Sequence, residues 1–120
     1  MIILQWPSSD LSPNSRCHWA KKAKAAKAAR QAAGWATKAA GVRIKGSGAI
    51  DLHILFYPPN KRRFDLDGLL SRLKSSLDGV ADALNVDDNR FTLMIERREA
   101  VKGGEVRIRI TEQPKTKGID

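Results

Sequence analysis

The chain has 120 residues, the usual length of a single domain. Its 42% hydrophobic and 29% charged residues are typical of a globular protein and argue against a largely disordered chain. The formal charge of +9 indicates a polyanionic partner, with nucleic acid first and an anionic membrane surface second.

Cysteine, histidine and the N-terminal residues exclude several further classes of protein. Cys17 is the only cysteine, so no disulfide can form within the chain, which fits a reducing compartment. His18 and His53 form no zinc-ligand pattern. No stretch has the basic start and apolar run of a signal peptide, or the ~18 apolar residues of a membrane span. We therefore expect a cytoplasmic protein with no membrane partner.

The first half of the chain predicts a strand, a loop and a long helix. The apolar run MIILQW (1–6) predicts a strand, and the proline- and serine-rich segment after it predicts a loop. From about Cys17 to Ala40 the alanine and basic residues predict a helix, with lysines 21, 24, 27 and 38 off its packed face. We expect Trp19 and Trp35 to supply the bulk of that face. Its other members, at three- and four-residue spacing, are Ala23, Ala26, Ala29 and Ala33.

The second half predicts one more helix and three more strands. Residues 50–57 alternate as a strand does and end at two prolines, and a leucine stripe from residue 66 to 84 predicts a helix. Residues 91–101 and 105–112 alternate on either side of a Lys-Gly-Gly turn, which predicts a hairpin. The order of elements predicts an α/β (α+β) fold, a single domain over 1–112 with a small mixed sheet and two main helices, followed by a polar tail over 113–120.

The segment KRRFDLDG (61–68) places three cations directly before two carboxylates. Asp67 stands where the second helix begins, so the structural interpretation is that Asp67 caps the helix and Asp65 is a solvated loop residue. The functional interpretation is a site for Mg²⁺ or Mn²⁺, which take oxygen ligands and assist phosphodiester cleavage. A helix over 67–84 is ~26 Å long. Asp88, which follows it, can therefore approach Asp67 only if the next strand or a two-fold-related second chain brings it back.

Lys74 is a second candidate on the same helix. A helical wheel puts Asp67 and Lys74 on one flank of the leucine stripe, roughly 10 Å apart along the axis. A lysine in that position can contact a scissile phosphate. The alternative is a lysine whose stem covers the edge of the apolar stripe while its amine stays in water, and spacing alone favours that alternative.

Four segments, taken in this order, resemble the RusA family of Holliday junction resolvases of phages and prophages. They are SPNSR (12–16), KRRFDLDGL (61–69), VDDNRF (86–91) and EAVKGGEVRIRITE (99–112). The resemblance implies a homodimeric, Mg²⁺-dependent endonuclease that resolves four-way DNA junctions by paired symmetric nicks in recombination and repair. The metal ligands it implies are Asp65, Asp67 and Asp88, with Asp87 as the alternative to Asp88.

The resemblance also assigns the basic residues. Lys74 takes the role of the family's lysine, with Arg72 as the substitute, because Ser71 stands where compact members carry that lysine. Gly68 stands where an asparagine is usual. Phosphate contacts supply affinity that does not depend on base sequence. The basic residues expected to contact DNA are Arg16, Lys61, Arg62, Arg63 and Arg72.

A non-enzymatic nucleic-acid-binding protein is the main alternative to a nuclease. In that interpretation the alanine- and lysine-rich helix and a basic sheet bind DNA or RNA, and the carboxylates are caps and turns. No RNA-recognition or zinc-finger signature supports it, and only 6% of the residues are aromatic. A membrane-surface helix is less favoured still, because alanine offers little apolar area to lipid.

Overall fold

The computed structural model describes residues 1–13, 15, 16 and 18–113. Asn14, Cys17 and residues 114–120 of the predicted tail lie outside the described residues. The regular elements of the described residues are β1 (Ile2–Gln5), α1 (Trp19–Ala39), β2 (Ile50–Tyr57), α2 (Leu66–Leu84), β3 (Phe91–Arg97) and β4 (Glu105–Glu112). Two short 3₁₀ turns, Ser9–Leu11 and Asp88–Arg90, precede α1 and β3.

The four strands form one mixed sheet in the order β1-β4-β2-β3. β2 lies parallel to β3, with Ile50 opposite Phe91, and antiparallel to β4, with Ile50 opposite Glu112. β1 is antiparallel to β4 and forms one edge of the sheet, and β3 forms the other. The predicted α/β (α+β) class, with two helices and a small mixed sheet, is confirmed.

The predicted hairpin between β3 and β4 is wrong, because β2 lies between them. The connection instead crosses the end of β2, where the Arg98 amide donates a hydrogen bond to the Phe56 carbonyl (2.8 Å). Gly104 has a φ of +69°, and a Cβ there would lie 3.0 Å from Pro59 Cδ and from Trp6 Cβ. The glycines of the Lys-Gly-Gly segment therefore allow a close crossing over β2, and alternation in two strands is compatible with either pairing.

Both helices cover the same face of the sheet and enclose the core. The leucine stripe predicted for α2 is confirmed, since its inward residues are buried against the strands. Fully burying one such side chain contributes about 1.5–3 kcal/mol relative to leaving it exposed. The α2 residues of the core cluster are Leu69, Leu73, Leu77, Val80 and Leu84. The strand residues are Ile2, Leu4, Ile50, Leu52, Ile54, Phe56, Val106 and Ile108.

The prediction that Trp19 and Trp35 supply the bulk of the packed face of α1 is wrong. Trp19 and Trp35 are each 75% exposed, and the buried residues of α1 are Ala33 and Thr37. Trp35 lies two positions from both buried residues, about 200° round the helix, so it points away from the sheet. Trp19 begins the helix, and the first turn of α1 is largely exposed. The lysines predicted to lie off the packed face are exposed.

Close backbone contact replaces bulky side chains where α1 meets α2. Gly79 of α2 is buried, and a Cβ there would lie only 2.1 Å from the Arg30 carbonyl oxygen. Beside this contact the Arg30 guanidinium donates two hydrogen bonds to the Asp82 carboxylate, at 2.6 Å and 2.9 Å. Small residues therefore set the distance between the helices. Among the residues that the structure describes, no helix is both long and apolar enough to span a bilayer.

Candidate active site

The β2–α2–β3 crossover determines where the predicted site residues lie. Because β2 and β3 are parallel, α2 must return antiparallel to both. The N-terminus of α2, with Asp65 and Asp67, therefore lies at the end of the sheet where β2 and β3 finish. Asp88 lies in the turn before β3, at the opposite end. The two acidic segments are thus separated by most of the length of α2.

Asp65, and not Asp67, is the N-cap residue of α2. Its backbone is extended (φ −79°, ψ 126°), but its carboxylate accepts no capping hydrogen bond. Asp67 lies in the first turn, and both residues are exposed. The positive end of the helix dipole favours negative charge at these two positions. The interpretation of Asp67 as the cap is therefore wrong, and the Asp65 carboxylate is not used for capping.

Gly68 leaves space beside this pair. A Cβ at Gly68 would contact only the Asp65 side chain, at 3.9 Å from Oδ2, which is an ordinary van der Waals distance. The Cβ of a larger residue at position 68 would therefore meet no close contact.

The basic loop, residues 61–63, precedes Asp65 and exposes all three of its cations. An Asx turn starts it, since the Arg62 amide donates to Asn60 Oδ1 at 2.9 Å. Its other end is anchored by Phe64, whose ring lies edge-on to Trp6 with centroids 5.3 Å apart. The loop therefore has two fixed ends and presents its cations beside the two carboxylates.

A groove between α2 and β3 brings Lys74 and Asp88 together. It encloses about 360 Å³, with Leu70 and Leu77 on the helix side and Phe91 and Leu93 on the strand side. Its polar lining residues are Ser71, Lys74, Asp78 and Asp88. The strand side of the groove could not be predicted from the sequence, because it exists only through the pairing of β2 with β3. Asp65 and Asp67 are not among its lining residues.

The three predicted metal ligands do not converge within one chain. Among the described residues, no three His, Cys, Asp or Glu side chains are close enough to share a metal ion. β3 does return along β2, but Asp88 remains at its start, at the end of the sheet opposite Asp67. The sequence left two routes open for Asp88, and among the described residues the return by the next strand does not bring the three carboxylates together.

Hydrogen bonds help to choose among the alternative side chains. Ser71 Oγ donates to the Asp67 carbonyl (3.1 Å), so this hydroxyl is bonded within the helix. The Asp87 carboxylate accepts from the Asn89 amide (3.0 Å) and caps the turn before β3. Asp88, by contrast, lines the groove. These contacts favour Asp88 over Asp87 as the candidate ligand.

Arg72 stabilises the fold. Its Nε donates to the Ser8 carbonyl (3.3 Å) and its Nη2 to the Pro7 carbonyl, and burial lowers the pKa of its guanidinium. It thereby fastens the segment after β1 to α2, which favours Lys74 over Arg72 as the lysine of the site. Arg16 is exposed in the segment before α1.

Comparison with known proteins identifies a relative without a described activity. No family model matches the chain. A protein of Xylella fastidiosa (strain Temecula1) is 44% identical over an alignment of 119 positions, and the alignment covers 92% of this chain and 74% of the relative. The chain belongs to the family of that protein, whose description is "uncharacterized protein". The activity must therefore be argued from the site.

Proposed function

We propose that the protein is a metal-dependent endodeoxyribonuclease of the RusA type, which resolves four-way DNA junctions by paired nicks. The observation that carries the proposal is the N-terminus of α2. There an N-cap carboxylate without a capping bond, Asp65, and a neighbouring exposed carboxylate, Asp67, directly follow the basic loop. Carboxylates can hold a metal that assists phosphodiester cleavage, and cations beside them can hold the phosphate backbone, so this arrangement suits a nuclease. We place this activity in the cytoplasm, where its DNA substrate lies.

A homodimer would complete the site. β3 is an edge strand that exposes Leu93 (40%) and Met94 (63%), so a second copy pairing there would bury apolar surface. Two-fold pairing of edge strands is antiparallel, so the start of one β3 lies beside the end of the other. Asp88 of each chain would then approach Asp65 and Asp67 of the second chain. Two identical sites would form, as two symmetric nicks require.

The donors at this composite site suit Mg²⁺ or Mn²⁺, because all three are carboxylates. When bound, the metal would polarise the scissile phosphate and lower the pKa of a water molecule. Lys74 would contact the phosphate and stabilise the negative charge that develops on it. The basic loop would hold neighbouring phosphates, so that binding is salt-dependent and independent of base sequence.

The first test is cleavage of an end-labelled four-way junction, with linear duplex and single strand of the same sequence as controls. We expect paired nicks in the junction alone, with Mg²⁺ or Mn²⁺, and none with EDTA or in the Asp67→Asn variant. Glu99→Gln changes an exposed carboxylate that neither lines the groove nor belongs to the pair Asp65 and Asp67. This variant should cut like the unsubstituted protein. Tight junction binding without nicks in either metal would instead support the non-enzymatic binding protein.

Mixed dimers test the composite site. Asp67→Asn and Asp88→Asn chains should each be inactive alone. In a heterodimer of the two, one composite site carries both substitutions and the other carries neither, so we expect junctions with a single nick. If each site lay within one chain, both sites of the heterodimer would be damaged and no nick would return. Co-expression of differently tagged chains provides the heterodimer.

A further inference from the structure

The outward face of α1 is cationic and contains no acidic residue. Between Trp19 and Ala39 there are six basic residues and neither aspartate nor glutamate. Three of the six make contacts elsewhere: Arg30 pairs with Asp82, Lys21 with Asp10 (3.9 Å), and Lys22 donates to the Ser12 carbonyl. The other three are exposed, and among the described residues none forms an ion pair with a carboxylate. They are Lys24, Lys27 and Lys38.

These three lysines share one stripe of the helix with an exposed tryptophan. Lys24, Lys27, Gln31, Trp35 and Lys38 lie within about 80° of one another on a helical wheel, and the first and last are ~21 Å apart along the axis. The stripe lies opposite the buried face of α1. All five residues are exposed, and Trp35 retains 75% of its accessible surface.

Space for a flat ligand lies next to the indole. Lys27, Gln31, Trp35 and Lys38 line a shallow cavity of about 360 Å³, whose far wall is formed by α2. Gly34, Gly79, Ala83 and the ion pair of Arg30 with Asp82 also line it, and the two glycines project no side chain into it. A planar group that stacked on Trp35 would therefore have room over the contact between the helices, with two lysines within the same cavity.

This combination of groups favours single-stranded nucleic acid. Single strands are bound by cations along the backbone and by aromatic side chains on which bases stack. A membrane-surface helix needs a broad apolar face, and here the exposed apolar side chains of α1 other than Trp19 and Trp35 are alanines. Since α2 lies between α1 and the groove that contains Lys74 and Asp88, this stripe is separate from the candidate active site.

We propose that the outward stripe of α1 binds single-stranded DNA, with an unpaired base stacked on Trp35 and phosphates held by Lys24, Lys27 and Lys38. The choice of DNA over RNA rests on the proposed function, whereas the assignment of the binding surface does not. In a junction-cleaving enzyme, such a site would bind unpaired nucleotides at a distance from the cut.

The test is a fluorescence titration with a short oligothymidylate in EDTA, where no metal-dependent cleavage occurs. We expect the oligomer to quench tryptophan emission, and we expect Trp35→Phe to lose most of that quenching. Trp19→Phe is the matched control, because Trp19 is equally exposed on the same helix but lies outside the stripe. Trp35→Ala should weaken binding by roughly 5- to 150-fold, since one stacked base contributes about 1–3 kcal/mol.

Salt dependence tests the lysines. Replacing Lys24, Lys27 and Lys38 by glutamine should reduce the slope of log affinity against log salt by about 2, because each phosphate that a lysine neutralises on a single strand adds about 0.7 to that slope. Equal affinity of Trp35→Ala and the unsubstituted protein would overturn the proposal. So would tighter binding to an RNA oligomer, or Trp35-dependent binding to anionic phospholipid vesicles without binding to the oligomer.

The two proposals can fail separately. Quenching through Trp35 in a protein that never nicks a junction would leave this site in place and remove the nuclease. Nicking without any effect of Trp35→Ala on oligomer binding would leave the nuclease in place and remove this site.

Discussion

The two helices lie side by side on one face of the sheet, but they contribute to the protein in different ways. α2 buries a continuous apolar stripe, while α1 buries only Ala33 and Thr37. α2 is therefore held by the core, and its position fixes the acidic pair and the groove at its flank. α1 is held by a close backbone contact and an ion pair, which leaves its outward face available for a ligand. The core thus depends mainly on α2, and the proposed binding surface lies on the neighbouring helix α1.

The largest expected effect is on α2. Leu73 is 1% exposed, and Leu73→Ala should destabilise the fold by about 2–5 kcal/mol, because it removes packing in the core and leaves a cavity. Trp35→Ala on α1 removes a larger side chain, yet it should change the free energy of unfolding by less than about 0.5 kcal/mol. Urea denaturation of both variants measures the difference. Equal losses would contradict the assignment of the outward face of α1 to solvent.

The contact between the helices should be sensitive to one methyl group. Gly79→Ala would place a Cβ against the Arg30 carbonyl, so we expect a loss of about 1–3 kcal/mol from overpacking. Gly34→Ala is the matched control, since its Cβ would lie 3.5 Å from the Gly79 carbonyl and alanine favours the helix by about 1 kcal/mol. That control should be as stable as the parent or more so. If both variants were equally stable, the helices would not approach as closely as described.

The smallest effect concerns the ion pair between the helices. The hydrogen bonds from Arg30 lower the pKa of the Asp82 carboxyl below its ordinary value, so the folded protein favours the ionised form. Its contribution to stability should be present at about pH 6 and lost as the pH falls below about 3.9, the ordinary aspartate value. We therefore expect the melting temperatures of Asp82→Asn and the parent to differ slightly at about pH 6 and to converge in acid.

A double-mutant cycle provides the control for this ion pair. Arg30→Gln should reproduce the small loss at about pH 6, and the double variant should lose little more than either single variant. Additive losses at that pH would mean that the two side chains do not interact in solution.

Periodicity along the chain predicted most of the elements, and it failed where two segments had to be matched in space. The leucine stripe of α2 and the alternation of β2 each lie within twenty residues, so short-range spacing records which face is buried. Alternation in β3 and β4 could not exclude insertion of β2 between them. In α1, Trp35 lies on the opposite side of the helix from Ala33, so its size and not its spacing placed it on the predicted packed face. Because Gly79 lets α2 approach closely, the face of α1 with small side chains is the packed face.

For the candidate site, the sequence by itself determined the local chemistry: three cations followed by Asp65 and Asp67, an acidic doublet after the helix, and a lysine between them. These features depend only on which residues lie close together in the sequence. The tertiary structure decided that Lys74 and Asp88 line one groove, that Arg72 and Asp87 hydrogen-bond elsewhere, and that Asp88 lies at the end of the sheet opposite Asp67. The reason is physical, because a helix separates its ends by 1.5 Å per residue, and only the pairing of strands far apart in the chain determines what lies beside each end.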